Sequence, residues 1–281
     1  MRRNQTDWEI LSFFGSMVAA LAAPLLDIGS IAWRSDMMGI TRYVRILNLF
    51  DAERPNWTVA DMAEALDTSA STLYRLVREM VAVELLESTV ESRYRLGPMF
   101  VEFYRRITIT DPLIRSGAKF LGPLAAQAGI PSVAILARLY GKEVMCVAEH
   151  REPSAHFKTS YELGRPMPLL RGATSRAVLS TLAKRTLVGL LDEQLGADAA
   201  RKELLISELA SLRKLGVCET HGEVDPDLVG ISAPLRNASL GINASVSVII
   251  EGRSLTDELR ARIYSAVTGI GRMIEGFMAE S

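Results

Sequence analysis

Ser71, Tyr74, Arg75 and Arg78 recur at spacings of three and four, so a helix would gather their hydroxyl, phenol and guanidinium groups on one face. Such groups hydrogen-bond phosphate oxygens and base edges, with arginine matched to guanine. Leu73, Leu76, Val77 and Met80 fall at i, i+3, i+4 and i+7 on the other side, an apolar stripe that can seat the helix. A helix of this size spans roughly 18 Å and fits the major groove of B-DNA. Ahead of it stands a polar break, Asp67–Thr68–Ser69. Before the break, Val59, Met62, Ala63 and Leu66 mark the inner face of another short helix, with Thr58 as its N-cap and Asp61 in its first turn. Two such helices predict a helix-turn-helix, the second being the reading element. Ser69, Ser71 and Thr72 at its start are placed for phosphate, and Arg75 and Arg78 for guanine or phosphate.

Arg93 and Arg95 form the next candidate pair. Leu85–Glu87 and Arg93–Leu96 read as two short strands around the tip Ser88–Ser92, a β-hairpin wing. Alternation puts both arginines on one strand face, where they can meet phosphate or enter a minor groove. A solvated edge strand carries charges as well.

Further along, Arg171–Gly172–Ala173–Thr174–Ser175 opens a helix. Free N–H groups and the helix dipole suit an anion there, and Gly172 lets a ligand approach the backbone. An ordinary capped helix is the bland alternative. Cys218 and His221, three apart, raise a thiol–imidazole pair, and with Asp225 a metal set. Neither has an orienting third group or a recognised spacing, so catalysis and metal binding are not expected. His150 and His156 read as structural or surface imidazoles. With neither a Walker-type loop nor GxGxxG, no cofactor is implied.

The elements that must position these residues span 281 residues, enough for two domains, with 48% hydrophobic side chains. A net charge of −1 leaves no global basic field, so DNA contact must come from a few arginines on one face. Two cysteines suit a reducing cytoplasm. Residues 1–36 form an apolar extension from Ile10 to Trp33. Asp27 argues against a membrane span, and Asp7 and Glu9 against a signal peptide. A packed extension or an upstream start is the preferred reading, with Met37 and Met38 as later starts. A helix over Gly39–Arg54 carries the stripe Ile40, Val44, Leu47 and Phe50. After the wing comes a linking helix with Met99, Phe100, Phe103, Tyr104 and Ile107 as a core or dimer stripe, and a boundary at Asp111–Pro112.

The second half alternates elements. Helices are predicted over Leu113–Ala128, Thr174–Ala183, from Thr186 to Leu191, over Ala199–Leu215, and over Leu255–Met278 with Ser254 as cap. Strands are predicted over Ser132–Leu139, Val144–His150, near His156–Ser160, over Leu228–Leu235 and Ile242–Ile250. The fold class is α+β with an antiparallel sheet.

Four stretches in order carry a family likeness: Ser71–Leu76 (STLYRL), Arg93–Pro98 (RYRLGP), Gly164–Leu169 (GRPMPL) and Val229–Pro234 (VGISAP). From Gly39 to the C-terminus the chain resembles the IclR-type family of bacterial transcription regulators. The resemblance implies a winged helix-turn-helix, residues 37–97, a linker helix, 98–112, and a GAF-like effector domain, 113–281. It implies a homodimer or dimer of dimers on double-stranded operator DNA. It also places Ala173, Thr174, Thr220, Leu228, Gly230, Ser247 and Ile249 beside Gly172 in the effector pocket. The chain departs from the pattern where the family has Thr-Gly (Leu66–Asp67), Pro-Lys (Ser69–Ala70) and Gly-Tyr (Glu84–Leu85). Losing that lysine removes a phosphate contact. Thr220 and Ile249 replace more polar family residues, so the expected effector is a larger, more apolar, aromatic organic acid. A ligand sensor that does not bind DNA, tethered through residues 1–36, is the competing expectation.

Overall fold

The computed structural model describes residues 39–280, so the expectations for residues 1–36 and for Met37 and Met38 fall outside the described residues. The chain divides into two compact units, the first ending at Arg105 and the second beginning at Arg106.

The first unit holds α1 (Ile40–Leu47), β1 (Trp57–Thr58), α2 (Val59–Ala65), α3 (Ala70–Ala82), β2 (Leu86–Ser88) and β3 (Arg93–Leu96). Met62 and Ala63 of α2, Leu66 at its C-cap, and Leu73, Leu76, Val77 and Met80 of α3 are buried together, as their periodicity requires. The hydroxyl of Thr58 caps α2 by accepting from the N–H of Asp61, and that of Ser69 caps α3 by accepting from the N–H of Thr72. Strand β3 pairs antiparallel with β2 and also with β1, which the sequence reading did not include. Trp57 of β1 lies opposite Tyr94 and is buried in the same core.

Helix α1 is shorter than expected and turned on its axis. It ends at Leu47, and beyond it the Asp51 carboxylate accepts from the N–H groups of Glu53 and Arg54, a local turn that competes with helix. Ile46 is buried with Tyr43 and Leu47 beside it, whereas Ile40 is 76% exposed and Val44 lies outside too. Of the expected stripe, Leu47 and Phe50 pack against the core, whereas Ile40 and Val44 do not and Ile46 takes their place.

Helix α4 (Met99–Thr110) crosses the division between the units. In the second unit follow α5 (Pro112–Gly117), α6 (Leu121–Ala128), β4 (Ser132–Tyr140), β5 (Glu143–Arg151), β6 (Pro166–Pro168) and α7 (Gly172–Thr181). Then come α8 (Lys184–Leu195), α9 (Ala199–Leu215), β7 (Cys218–His221), β8 (Leu228–Asn237), β9 (Ile242–Glu251) and α10 (Asp257–Ala279). The strands form one antiparallel sheet in the order β6-β5-β4-β9-β8-β7.

Alternation along the central strands divides the packing. Val229, Ile231 and Ala233 of β8 and Val246, Val248 and Ile250 of β9 face α5, α6 and α10. On the other face Val133, Ile135, Leu228 and Ile249 form a smaller cluster, and Ala137 and Val144 pack with α7, α8 and α9. The observed architecture is the expected α+β class, a winged helix-turn-helix followed by an effector-type domain on an antiparallel sheet.

Three expectations need correction. Residues 156–160 form no strand, because Thr159 and Ser160 spend their hydrogen bonds on the Asp225 carboxylate rather than on a ladder. Two unexpected strands complete the sheet, Pro166–Pro168 paired with β5 and Cys218–His221 paired with β8. The terminal helix is capped by Thr256, whose hydroxyl accepts from Leu259, while Ser254 lies inside a preceding 3-10 turn.

Candidate DNA-contact surface and effector pocket

The outer face of α3 is built as the spacing required. Tyr74 is 58% exposed, Ser71, Arg75 and Arg78 are exposed, and Thr72 is half-buried. Arg75 and Arg78 form no ion pair among the described residues. Glu79 on the flank of this face accepts from the Tyr43 hydroxyl, which raises the Tyr43 pKa, and Arg75 nearby opposes that rise. The hydroxyl of Ser69 is more occupied than expected. It caps α3, donates to Thr72 Oγ1 at 2.8 Å, and lies 3.2 Å from Ser71 Oγ. The three hydroxyls thus form a small cluster at the helix start, where anions are favoured.

The wing arginines are placed differently from those of α3. Arg95 Nε lies 2.8 Å from Glu87 Oε2, directly across the hairpin register, and holds the Glu87 carboxyl below its ordinary range. Arg93 is 3.7 Å from Glu91. Both remain exposed, but each already has an acidic neighbour.

Both helices of the motif end in the same way. The N–H of Thr68 donates to Ala63 and that of Asp67 to Glu64. The N–H of Leu85 donates to Met80 and that of Glu84 to Val81. These are two Schellman closures, each with a left-handed residue, Asp67 at φ 48° and Glu84 at φ 60°. They occupy the two positions where the family pattern has glycine, so the backbone conformation persists without the residue that adopts it at least cost.

In the second unit, β7, β8 and β9 set Thr220, Gly230 and Ile249 side by side in register, and the start of α7 lies above them. They border a cavity together with Thr159, Tyr161, Gly172, Ala173, Thr174, Glu223, Val224, Asp225 and Leu228. Seven of the eight expected residues therefore meet: Gly172, Ala173, Thr174, Thr220, Leu228, Gly230 and Ile249. Ser247 stands behind them, its hydroxyl 3.0 Å from Thr174 Oγ1 and accepting from Ser232 at 2.7 Å. Gly172 has φ 82°, and a Cβ there would come within 2.8 Å of Val224. The free space is about 30 Å³, room for about one water. Sequence reasoning missed the 159–161 and 223–225 segments, whose Glu223, Asp225 and Thr159 make the rim more polar than expected. Burial raises the Tyr161 pKa, so this phenol stays protonated. A wider groove of about 610 Å³ between Lys184, Arg213 and Arg272 contains none of the expected residues.

The thiol–imidazole idea fails on strand geometry. Cys218 and His221 are three apart on β7, so their side chains leave opposite faces. Burial pushes the Cys218 thiol up to about 11, the His221 ring bonds Glu219, and Asp225 is held by Thr159 and Ser160. Among the described residues, no group of three His, Cys, Asp or Glu side chains could hold a metal ion. None of their helices is long and apolar enough to cross a membrane.

A winged helix-turn-helix joined to a sheet domain with a small pocket defines a transcriptional regulator with an effector-binding domain. The chain belongs to the IclR family. Residues 112–275 match the model of the bacterial transcriptional regulator IclR C-terminal domain, and residues 39–89 that of the IclR helix-turn-helix domain. It is 24% identical over 227 residues to the HTH-type transcriptional regulator KipR of Bacillus subtilis, covering 78% of this chain and 89% of that protein. With XynR of Escherichia coli it shares 22% over 218 residues, 75% of this chain and 85% of the relative. Among solved structures, an IclR transcriptional regulator from Alicyclobacillus acidocaldarius superposes with a TM-score of 0.72 at 20% identity, over 85% of this chain and 98% of that one. An IclR homologue from Microbacterium hydrocarbonoxydans, complexed with 4-hydroxybenzoate, gives 0.71 at 20% identity with the same coverage. These structural likenesses establish the fold.

Proposed function

We propose that this chain is a dimeric, ligand-responsive regulator that binds operator DNA through Ser69, Ser71, Thr72, Tyr74, Arg75 and Arg78, with Arg93 and Arg95 of the wing in a secondary role. Its effector is a small organic acid, aromatic in the preferred reading, and its targets are genes for the breakdown of that acid. The observation that carries the DNA reading is the two-sidedness of α3: Leu73, Leu76, Val77 and Met80 hold it to the core while Tyr74, Arg75 and Arg78 stay exposed. Two such helices in a dimer reach successive major grooves about 34 Å apart.

The acid reading rests on the N–H groups that open α7 and on the apolar part of the lining, Val224, Leu228 and Ile249. The 4-hydroxybenzoate complex of the Microbacterium homologue supports the aromatic preference. Binding must favour one arrangement of the DNA-binding units over another, and α4 is the covalent route between effector and DNA domains.

Fluorescence anisotropy with the gene's own upstream duplex tests the reading. Wild-type protein should bind it with affinity falling as salt rises. Arg75→Ala should weaken binding by about 1–3 kcal/mol while the melting temperature stays constant, if Arg75 reads a base. Absence of wild-type binding would leave a sensor with no DNA role, and unchanged binding by the variant would remove Arg75 from the reading surface.

A further inference from the structure

The N–H groups expected to receive an effector carboxylate are already engaged. Gly172 N–H donates to Glu223 Oε2 at 3.0 Å, and Ala173 N–H donates to Thr220 Oγ1 at 2.9 Å. The other oxygen of Glu223, Oε1, lies 3.0 Å from Arg176 Nη2, and the Arg171 guanidinium donates to the Glu223 carbonyl. A carboxylate thus sits where the helix dipole favours an anion, held between a backbone donor and a guanidinium. That carboxylate is the chain's own.

The same segment closes the cavity. Glu223 and Val224 leave about 30 Å³ free, too little for any ring-bearing acid. Two residues on, Asp225 is fixed by Thr159 Oγ1 at 3.1 Å, Ser160 N–H at 2.9 Å and Ser160 Oγ at 2.6 Å. The segment is therefore a strap pinned at two points by carboxylates of unlike tenure. Asp225 is tied to hydroxyl and amide donors of the 159–160 segment. Glu223 is tied to donors that another carboxylate can satisfy equally well.

We infer that Glu223 is a built-in competitor for the effector's carboxylate and that the acid binds by displacing it, opening the strap about Asp225. The inference rests on the acid-effector reading above. The exchange replaces one anion by another on Gly172 N–H and Arg176, so Arg176 keeps two carboxylate partners throughout, the incoming acid and Glu208, and no two carboxylates are stacked. Glu223 returns to water, and the space that it and Val224 leave receives the acid's apolar body. A neutral analogue offers Gly172 an acceptor but leaves Arg176 with only the more distant Glu208 carboxylate, so it drives the exchange less well than an acid. Glu223 and Arg176 are then what makes the pocket select acids. Arg176 also faces Glu208 of α9 at 3.8 Å, so displacement of Glu223 reaches a second helix.

The apparent affinity of such a site is the intrinsic affinity reduced by the fraction of molecules with the strap open. Weakening the competitor therefore tightens binding. The experiment is calorimetric titration of the full chain and of Glu223→Gln with benzoate, 4-hydroxybenzoate and the neutral benzamide. Glutamine keeps the size and the acceptor for Gly172 but loses the charge that holds Arg176. The variant should bind one or both acids at least tenfold more tightly than wild type, with benzamide the weaker ligand in both proteins. Melting curves of both proteins accompany the titrations, because a strap that only supports the fold would lower the melting temperature and leave the dissociation constants alone. Equal acid affinities in the two proteins would overturn the competitor role and leave the acid reading standing. Failure of both acids to bind either protein would overturn the acid reading, and this inference with it.

Discussion

Across the wing hairpin, the Arg95 guanidinium lies 2.8 Å from the Glu87 carboxylate, and the two residues are register partners on β3 and β2. A cation so placed is committed inside the protein before any duplex arrives. To reach phosphate it must exchange a fixed partner for a new one. Glu87→Gln removes that partner together with a negative charge on the contact surface. The variant should bind the upstream duplex more tightly and steepen the dependence of log K on log salt by about 0.9 for one added phosphate contact. Anisotropy titrations across a salt series measure both. An unchanged slope would place the wing away from the backbone.

Asp67 and Glu84 hold left-handed backbone at the two helix ends of the DNA-binding motif. A non-glycine residue there costs on the order of 1–3 kcal/mol, partly offset because glycine gives the unfolded chain more freedom. Asp67→Gly and Glu84→Gly should each stabilise the first unit, by about 1 kcal/mol. Glu84 should give the larger gain, since aspartate tolerates this region better than glutamate. Urea unfolding followed by tryptophan fluorescence in a chain that keeps Trp57 and carries Trp8→Phe and Trp33→Phe reads the effect. A loss of stability in either variant would mean that its side chain contributes more than the strain removes.

Helix α4 buries none of its residues among those described, although it carries Val101, Phe103, Tyr104, Ile107 and Ile109. The proposed dimer would use an exposed apolar surface of this kind. Ile107→Glu should shift the protein toward monomer in sedimentation velocity and weaken duplex binding in parallel. A variant that sediments like wild type would place the dimer contact elsewhere.

Burial pushes the Cys146 thiol from an ordinary 9.0 up to about 12 and that of Cys218 up to about 11. At pH 8 both stay protonated in the folded protein, so reaction with Ellman's reagent should be slow until urea releases both thiols. Because the folded pKa values lie above the unfolded ones, the native state holds these protons longer. The stability this provides is complete below about pH 9 and declines as pH rises toward 11 and 12. Fast native labelling of Cys218 at pH 8 would show that β7 opens readily.

The motif that reads DNA was legible because its instructions are local. The four-residue rhythm from Leu73 to Met80, the caps Thr58 and Ser69 and the polar turn all lie within about seven turns of chain. Helix α1 shows where local reading ends. Ile40 and Ile46 belong to rival stripes of one short helix, and only the core formed by α2, α3 and β1 decides that Ile46 goes inside. Strand β1 has two residues, too few for any period to register.

The sequence alone determined where most of the helices form and which face of α3 is apolar, whereas the expected helix Leu113–Ala128 is broken by a 3-10 turn at Ala118–Phe120, and the grouping of pocket residues was an expectation from the family resemblance. Tertiary structure alone decided how that pocket is closed. Glu223 caps Gly172 across 51 residues, Thr220 caps Ala173 across 47, and Asp225 holds Ser160 across 65. No periodicity or capping rule reaches so far, because a helix or strand signal reports the neighbours along one segment. Which carboxylate meets which helix end depends on strand pairing and on the path of the connecting segment, and these exist only once the chain has folded.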